Sequence, residues 1–238
     1  MNSRPDLRDF SREVLVSVKK FLKYKDLQKY TGLSPPILWR YIVNGMRPSR
    51  ERAEHILRSL IEGGVLRNII LKNIRIIGKD IVDIYDLVYN KDLVKLAGYE
   101  AYYYFKDLDI DAVATVEVDG IPVAVATAFL FDAELIVAKR RKELGYNDYY
   151  EETYLSRDPP FLTSIYVPKA VIKKNYRILI VDDLLRSGRT LSSLINIIRD
   201  AKAYPVGVFS IVAIGNEWVN VVRKALIDKV HVMVHLLG

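Results

Sequence analysis

The chain of 238 residues contains no cysteine and only three histidines. The absence of cysteine excludes disulfide bonds, thiolate nucleophiles and cysteine-based zinc sites. With only three histidines, a histidine-rich metal site is not expected. No apolar run reaches the roughly 18 residues that a membrane-spanning helix needs. The first ten residues are polar and lack the apolar core of a secretion signal. We therefore expect a cytoplasmic protein.

Positive charge is concentrated in the first third of the chain. Residues 1–75 hold 16 Lys and Arg against 7 Asp and Glu, a net charge of +9. Residues 76–238 hold 20 against 22, a net charge of −2. Such an excess favours a polyanionic partner for the first third, although a solvated basic surface without a partner is the alternative.

Apolar spacing predicts a compact group of helices at the N-terminus. The first helix carries apolar residues three or four positions apart, at Leu7, Phe10, Val14, Val18 and Phe21. A second helix is expected around residues 26–30, and Ser34 and Pro35 are suited to the start of a third. A fourth runs from about residue 49 to 61. We predict an all-α domain over residues 1–62 and a linker over residues 63–75.

From residue 76 onward, short β-branched runs alternate with helical stretches. The predicted strands are Val113–Val118, Val123–Ala128, Ile178–Val181, Val206–Ile214 and Val230–Leu237. The predicted helices are Asp92–Phe105, Ala133–Leu144, Thr190–Ala201 and Glu217–Leu226. This alternation predicts an α/β domain with a doubly wound, mostly parallel sheet over residues 76–238. Residues 145–163, rich in Tyr, Asp and Glu, are predicted to form a long functional or mobile loop.

The segment Arg177–Leu191 has the sequence of a phosphate-binding strand–loop–helix. Backbone N–H groups, the hydroxyls of Ser187 and Thr190 and the following helix N-terminus can bind a dianionic phosphate. The carboxylates of Asp182 and Asp183 would repel that phosphate but can accept hydrogen bonds from the hydroxyls of an attached sugar. We therefore predict a ribose 5-phosphate site, the alternative being an ordinary strand–loop–helix whose acids only cap the helix. The predicted binding residues are Asp182, Asp183, Leu184, Leu185, Arg186, Ser187, Gly188, Arg189 and Thr190.

This segment resembles the motif with which type I phosphoribosyltransferases bind 5-phosphoribosyl 1-diphosphate (PRPP), and the resemblance extends over about residues 76–238. It implies PRPP bound together with Mg²⁺, with no metal held by the protein alone. It also implies a loop that receives the pyrophosphate group, together with nearby basic residues. The corresponding residues here are Val118, Asp119, Gly120, Lys139 and Arg140. A simple turn and a solvated helix end are the alternatives for these two stretches.

The resemblance does not decide whether this chain catalyses the family's transfer reaction. The family's enzymes displace pyrophosphate with a nitrogen nucleophile, and the protein contributes mainly positioning and charge stabilisation. Residues 145–163 stand where the family has a flexible catalytic loop, yet they contain Arg157 and neither Lys nor His. Arg186 stands where the enzymes commonly have a small or threonine-like residue. We assign no catalytic residue and expect weak or absent turnover.

Residues 26–45 are similar to the helix-turn-helix of phage repressors. Gly32 is placed in the turn and Ser34 at the start of the second helix. Packing of the two helices by Leu27, Leu33, Leu38 and Ile42 would leave Pro36, Ile37, Arg40 and Tyr41 facing outward. The predicted DNA-binding residues are Lys25, Lys29, Ser34, Pro36, Ile37, Arg40, Tyr41 and Arg47. The alternative is a helical bundle used for dimerisation or as a lid.

Taken together, the chain resembles the archaeal orotate phosphoribosyltransferase-like transcription regulators of the GfcR type. The resemblance implies a homodimer that binds double-stranded DNA and responds to PRPP or a nucleoside monophosphate. One alternative is an orotate or purine phosphoribosyltransferase with an accessory helical domain. Another is an RNA-binding regulator of the attenuation type. The operator, the effector and the sign of regulation stay open at this point.

Overall fold

The computed structural model describes residues 5–77, 81–155 and 161–236. Its N-terminal part is helical, with α1 (Leu7–Val18), α2 (Tyr24–Thr31), α3 (Pro35–Ile42), α4 (Arg50–Leu57), a π-helical turn (Arg58–Glu62) and α5 (Val65–Leu71). Ser34 is the N-cap of α3, as its sequence predicts. A short antiparallel pair follows, β1 (Arg75–Ile77) and β2 (Ile81–Asp83), before α6 (Tyr85–Val88).

The remainder of the chain alternates between helices and strands. The elements are α7 (Lys91–Phe105), β3 (Ala112–Val116), α8 (Ile121–Phe131), β4 (Glu134–Ala138), β5 (Tyr149–Leu155), β6 (Leu162–Pro168), a 3₁₀ turn (Lys169–Val171), β7 (Arg177–Leu185), α9 (Arg189–Asp200), β8 (Tyr204–Ile214), α10 (Glu217–Lys224) and β9 (Val230–Leu236). None of the helices in the described ranges has the length and apolar character required to cross a bilayer.

A five-stranded parallel sheet organises the described α/β part. Its strand order is β4-β3-β7-β8-β9, and every neighbouring pair is parallel. The predicted α/β fold with a mostly parallel sheet is therefore confirmed. Strand β7 lies at the centre, so the acids near its carboxyl end lie at the middle of the edge where ligands of such sheets bind.

Two predicted elements have the opposite secondary structure. Residues Val123–Ala128, predicted as a strand, lie within α8, and Ala133–Leu144, predicted as a helix, begins with strand β4 and continues as a loop. Helix α8 is apolar on every side, and a short apolar run has no periodicity that separates a buried helix from a buried strand. Pro122 at its first turn was a usable indication of a helix start.

The prediction of a long loop over residues 145–163 is wrong for residues 149–155 and 162–163, which lie in strands; residues 156–160 are outside the described part of the chain. Strand β5 pairs with β6 in antiparallel register from Tyr149 opposite Pro168 to Leu155 opposite Leu162. In β6 the side chains of Thr163, Ile165 and Val167 are buried, and those between them are half-buried. That alternation is the sequence pattern of a strand, but β5 itself is too polar to suggest one. We call this unit the β5–β6 hairpin; Arg157 lies outside the described residues.

The N-terminal helices pack directly on α7. The ring of Phe10 lies 5.5 Å from that of Tyr99 and 4.9 Å from that of Tyr102. Lys20 pairs with Asp92 at 2.5 Å. The apolar side chains of the two parts belong to one continuous core. The predicted linker, residues 63–75, contains α5, whose four buried side chains are part of that core. The helical part is thus fixed to the α/β part by shared packing.

Candidate phosphate-binding site

The two adjacent acids lie inside strand β7. The strand continues past the predicted end at Val181 as far as Leu185, and Asp182 stands opposite Ser210 of β8. Residues 186–188 then form a short turn into α9. Asp182 and Asp183 are both half-buried. At the acids β7 is paired with β8, whereas its pairing with β3 ends at Ile180.

Gly188 is required by the backbone of the loop. Its φ angle is +73°, in the left-handed region that favours glycine. A Cβ atom at this position would lie 2.9 Å from the Cα of Trp218, at the start of α10. Since the obstructing atom is backbone, it cannot turn aside as a side chain can. The loop therefore approaches α10 as closely as glycine allows.

A second loop, residues 117–120, passes close to Asp182. It connects β3 to α8, and Gly120 is the N-cap of α8. A Cβ atom on Gly120 would lie 2.3 Å from Oγ1 of Thr115 and 3.1 Å from Oδ1 of Asp182. The Glu117–Val118 peptide bond in this loop is cis. The structure therefore brings together the two segments to which the sequence assigned ribose phosphate and pyrophosphate binding.

A cavity of about 590 Å³ lies between the β5–β6 hairpin and residues 186–190, which we call the phosphate loop. The phosphate segment contributes Asp182 and residues 184–191, and Arg140 lies on another side. The hairpin contributes Tyr154, Phe161, Leu162, Thr163 and Ser164. Sequence reasoning missed these hairpin residues because the segment was interpreted as an irregular loop. The period-two alternation of Leu162–Pro168 could have revealed them.

The hairpin is hydrogen-bonded to the predicted phosphate ligands. The hydroxyl of Tyr154 lies 3.1 Å from Oγ1 of Thr190 and 3.5 Å from Nη1 of Arg140, which donates to it. The guanidinium of Arg189 donates to the carbonyl oxygen of Leu155. Two residues predicted to bind phosphate, Thr190 and Arg189, thus contact the hairpin in this structure.

Burial and mutual repulsion determine the protonation of the acid pair. Burial raises the pKa of Asp182 well above its ordinary value; the charge of Asp183 adds to the shift and the charge of Arg140 opposes it. Burial also raises the pKa of Asp183, with a further contribution from the charge of Asp119. The pair therefore retains protons at a higher pH than isolated aspartates do. Hydrogen bonds donated by vicinal hydroxyls of a sugar would stabilise its ionised form.

The predicted basic residues follow β4, and only one of them lines the cavity. The backbone N–H of Arg140 donates to Oε1 of Glu117 at 2.5 Å, which ties this segment to loop 117–120. Lys139 lies outside the cavity lining and pairs with the carboxylate of Glu143. With Arg186 and Arg189, Arg140 brings three guanidinium groups to the cavity.

The N-terminal helices present a separate basic surface. Lys25 and Lys29 on α2 and Arg40 on α3 are exposed, and in the described part of the chain none of the three forms an ion pair. Pro36 is also exposed, and Arg47, beyond α3, pairs with Asp9. We call Lys25, Lys29, Pro36 and Arg40 the α2–α3 face.

The remaining predicted DNA-binding residues are less accessible. Tyr41, predicted to face outward, is only 2% exposed, and its hydroxyl accepts a hydrogen bond from Nη1 of Arg52 at 2.8 Å. It follows Leu38 by three residues, so both lie on the buried face of α3. Ile37 and Ser34 are half-buried. Trp39, the residue before Arg40, is 45% exposed.

Known proteins are similar in sequence to the part of the chain that contains this site. Residues 90–230 match the family described as the phosphoribosyl transferase domain. The chain is 29% identical to a xanthine phosphoribosyltransferase of Lacticaseibacillus casei, over 73% of this chain and 91% of that protein. It is 27% identical to a probable purine biosynthesis transcriptional regulator, PurR, of Streptococcus pneumoniae, over 60% of this chain and 52% of that protein.

Solved structures share the fold of the α/β part. The adenine phosphoribosyltransferase of Thermoanaerobacter pseudethanolicus superposes with a TM-score of 0.61 at 15% identity. The match covers 99% of that enzyme but 71% of this chain. At this identity the likeness concerns the fold alone. Part of the present chain has no counterpart in that enzyme, and residues 1–89 precede the region that matches the family.

Proposed function

The chain belongs to the phosphoribosyl transferase domain family, and on that premise we propose that it is a DNA-binding transcription regulator. Its α/β part senses PRPP or a nucleotide, and its N-terminal helices bind double-stranded DNA. The observation that carries this proposal is the α2–α3 face, whose cations Lys25, Lys29 and Arg40 are exposed and lack ion-pair partners among the described residues. The similarity to a probable purine regulator supports the same conclusion.

The DNA-binding mode follows from the arrangement of α2 and α3. The two helices are joined by a three-residue turn in which Gly32 has a φ angle of +67°. In a helix-turn-helix the second helix enters the major groove, so Arg40 and Pro36 would contact base edges. Lys25 and Lys29 on α2 would contact backbone phosphates and set the register. Ser34 and Ile37 would contribute at the rim of that surface, whereas Tyr41 supports the helix from inside.

The ligand site fits a ribose 5-phosphate. The 5-phosphate would bind the N–H groups of residues 186–190 with the hydroxyls of Ser187 and Thr190, where the backbone leaves no room for a side chain at Gly188. Asp182 and Asp183 would accept hydrogen bonds from the ribose hydroxyls and would hold a Mg²⁺ ion that arrives with PRPP. That ion would neutralise part of the diphosphate charge.

Regulation requires that the two parts influence each other. A homodimer on a two-fold DNA site is the usual arrangement for a helix-turn-helix of this size, because one half-site gives little affinity. The shared core between α1 and α7 offers a direct mechanical connection, since α7 also packs on α8, the helix whose N-cap is Gly120. Movement of loop 117–120 around a ligand would reach the DNA-binding helices through these contacts.

A phosphoribosyltransferase of orotate or purine type is the second candidate function. The xanthine phosphoribosyltransferase match, which spans 91% of that enzyme, favours it. The measurement that separates the two is release of pyrophosphate from PRPP with orotate, adenine, guanine, hypoxanthine and xanthine. The regulator proposal predicts little or no turnover. Steady release at ordinary enzymatic rates, on the order of 1–1000 per second, would favour the enzyme instead.

The DNA-binding proposal is tested with fragments selected from genomic DNA and a matched pair of variants. Arg40→Ala should weaken duplex binding, and Lys29→Ala should weaken it for all sequences and lower the salt dependence. Arg223→Ala on α10 is the control, since Arg223 is exposed but lies far along the chain in the α/β part. Equal binding by wild type, Arg40→Ala and Lys29→Ala would contradict the proposed face. Tighter binding of single-stranded RNA than of duplex DNA would favour an RNA-binding regulator.

A further inference from the structure

The side of helix α3 that faces away from the core is largely apolar. The buried residues of α3 are Leu38 and Tyr41. On the opposite side, four exposed residues share one arc of about 100° at the usual 3.6 residues per turn. These four, which we call the outward side of α3, are Pro36, Trp39, Arg40 and the C-cap residue Val43. Since three of the four are apolar, this side differs from the polar face that a helix usually presents to solvent.

The two tryptophans of the chain differ in what their rings contact. Trp218 is 8% exposed, and its indole N–H donates a hydrogen bond to the carbonyl oxygen of Gly215 at 3.0 Å. Trp39 is 45% exposed, and in the described part of the chain its indole has neither a hydrogen-bond partner nor a ring contact. Val43, one turn further along, is 57% exposed. Single exposed apolar residues are common on protein surfaces, but several on one side of a helix indicate a binding surface.

Positive charge accompanies this apolar side and favours one kind of partner. Arg40 lies within it, and Lys25 and Lys29 are exposed on the preceding helix, α2. Among the residues that the structure describes, these three cations form no ion pair. An apolar protein surface would leave the cations without counter-charges. The phosphates on the two sides of a DNA groove would supply them.

The side chains on the outward side of α3 limit which bases it can recognise. Pro36 and Val43 have no hydrogen-bonding group in the side chain, and the indole of Trp39 can only donate. The guanidinium of Arg40 can bind the O6 and N7 acceptors of a guanine. The remaining contacts are apolar, and in the major groove the apolar group of a base pair is the C5 methyl of thymine. This combination fits a half-site that contains several thymines and not a run of G·C pairs.

We propose that the outward side of α3 recognises thymine methyl groups in the major groove, with Trp39 and Val43 as the specificity-determining residues and Arg40 on a neighbouring guanine. The inference rests on the proposed function, since it requires α3 to enter the major groove. It gives the DNA partner a chemical class, namely duplex DNA whose half-site holds several thymines beside a G·C pair.

The test compares two versions of one duplex, chosen from the genomic fragments that the full-length protein selects. One version contains thymine, and the other contains deoxyuracil at every thymine of the footprinted site, which removes only the methyl groups. Wild type should bind the deoxyuracil duplex roughly fourfold more weakly for each methyl group that it covers, the effect of about one buried apolar carbon. Trp39→Ala should bind the thymine duplex more weakly and lose most of this preference. Trp39→Phe, which keeps an apolar ring without the N–H group, should retain it.

Lys29→Ala is the matched control, because a contact to phosphate carries no sequence information. It should weaken the binding of both duplexes by the same factor and leave their ratio unchanged. Equal binding of the two duplexes by wild type would overturn the inference and leave DNA binding by the α2–α3 face in place. If Trp39→Ala binds both duplexes as wild type does, the inference is also wrong, and a protein partner becomes the better explanation of the apolar side. If wild type binds no duplex, the proposed function fails together with the inference.

Discussion

The ligand site and the α2–α3 face hold their functional groups in different ways. In the ligand site the proposed phosphate contacts depend on the course of the backbone, and Gly188 and Gly120 stand where a side chain would collide with neighbouring atoms. On the α2–α3 face the functional groups are side chains of exposed Lys and Arg residues on regular helices. Changes in the first region should therefore affect structure and ligand binding together. Changes on the α2–α3 face should affect only the binding of DNA.

The largest effect is expected for Gly188→Ala. The substitution places a Cβ atom 2.9 Å from the Cα of Trp218 and requires a left-handed residue. We expect the free energy of unfolding to fall by about 2 kcal/mol, the range for a non-glycine residue held in that conformation. Nucleotide and PRPP binding should also be lost. Chemical denaturation and calorimetry measure the two effects.

Gly145→Ala is the matched control, because nothing lies within 4 Å of its Cβ position. It should leave both unfolding and ligand binding close to wild type. A Gly188→Ala protein that binds ligand normally would show that the loop backbone is not the phosphate site.

The next largest effect is expected at the acid pair. Asp182→Ala and Asp183→Ala should each weaken binding of a ribose 5-phosphate ligand by about 1–3 kcal/mol, the range for losing a hydrogen bond to a charged group. Titration calorimetry of each variant with the tightest-binding ligand measures the loss. Unchanged affinity in both variants would remove the assignment of the carboxylates to the ribose.

The acid pair also predicts a dependence on pH. Because the folded pKa of Asp182 and of Asp183 is raised, the pair favours folding below the ordinary aspartate pKa and loses that contribution as pH rises through the folded values. Stability of the free protein should therefore decline with rising pH across that window, and Asp182→Asn should flatten the decline. Ligand affinity should change in the opposite sense, because the ionised carboxylates accept the hydroxyl hydrogen bonds. Denaturation and calorimetry at several pH values would reveal either trend or its absence.

On the α2–α3 face the expected effect is confined to DNA. Arg40→Ala should weaken binding to the selected duplex by about 1–3 kcal/mol, whereas Lys29→Ala should reduce the salt dependence by about one unit of slope. Neither should alter stability by more than about 0.5 kcal/mol, since both side chains are exposed and unpaired among the described residues. If either variant unfolds more easily by much more than this, the face has a structural role that the contacts do not explain.

The two regions also differ in how far sequence alone could predict them. The strand–loop–helix that carries Asp182, Asp183 and Gly188 was predictable because an apolar run, acids, glycine and hydroxyls follow one another along the sequence. The β5–β6 hairpin was not, because β5 is polar and owes its structure to pairing with β6 and packing on α9. Tyr41 shows the same limitation on α3, since its burial depends on the neighbouring helices. Helix α8 and strand β4 were interchanged because their apolar runs carry no distinguishing period.

The central claim is that ligand in the α/β part changes DNA binding by the N-terminal helices. The most direct measurement is a titration of a selected duplex at fixed salt, with and without PRPP and nucleoside monophosphates, using wild type and Asp183→Ala. We predict that at least one ligand changes the wild-type affinity by about 5–150-fold, a coupling of about 1–3 kcal/mol, and that Asp183→Ala loses this response. If the wild-type affinity for the duplex is the same with every ligand, the proposal of a ligand-responsive regulator is contradicted. A phosphoribosyltransferase would then be the better-supported function.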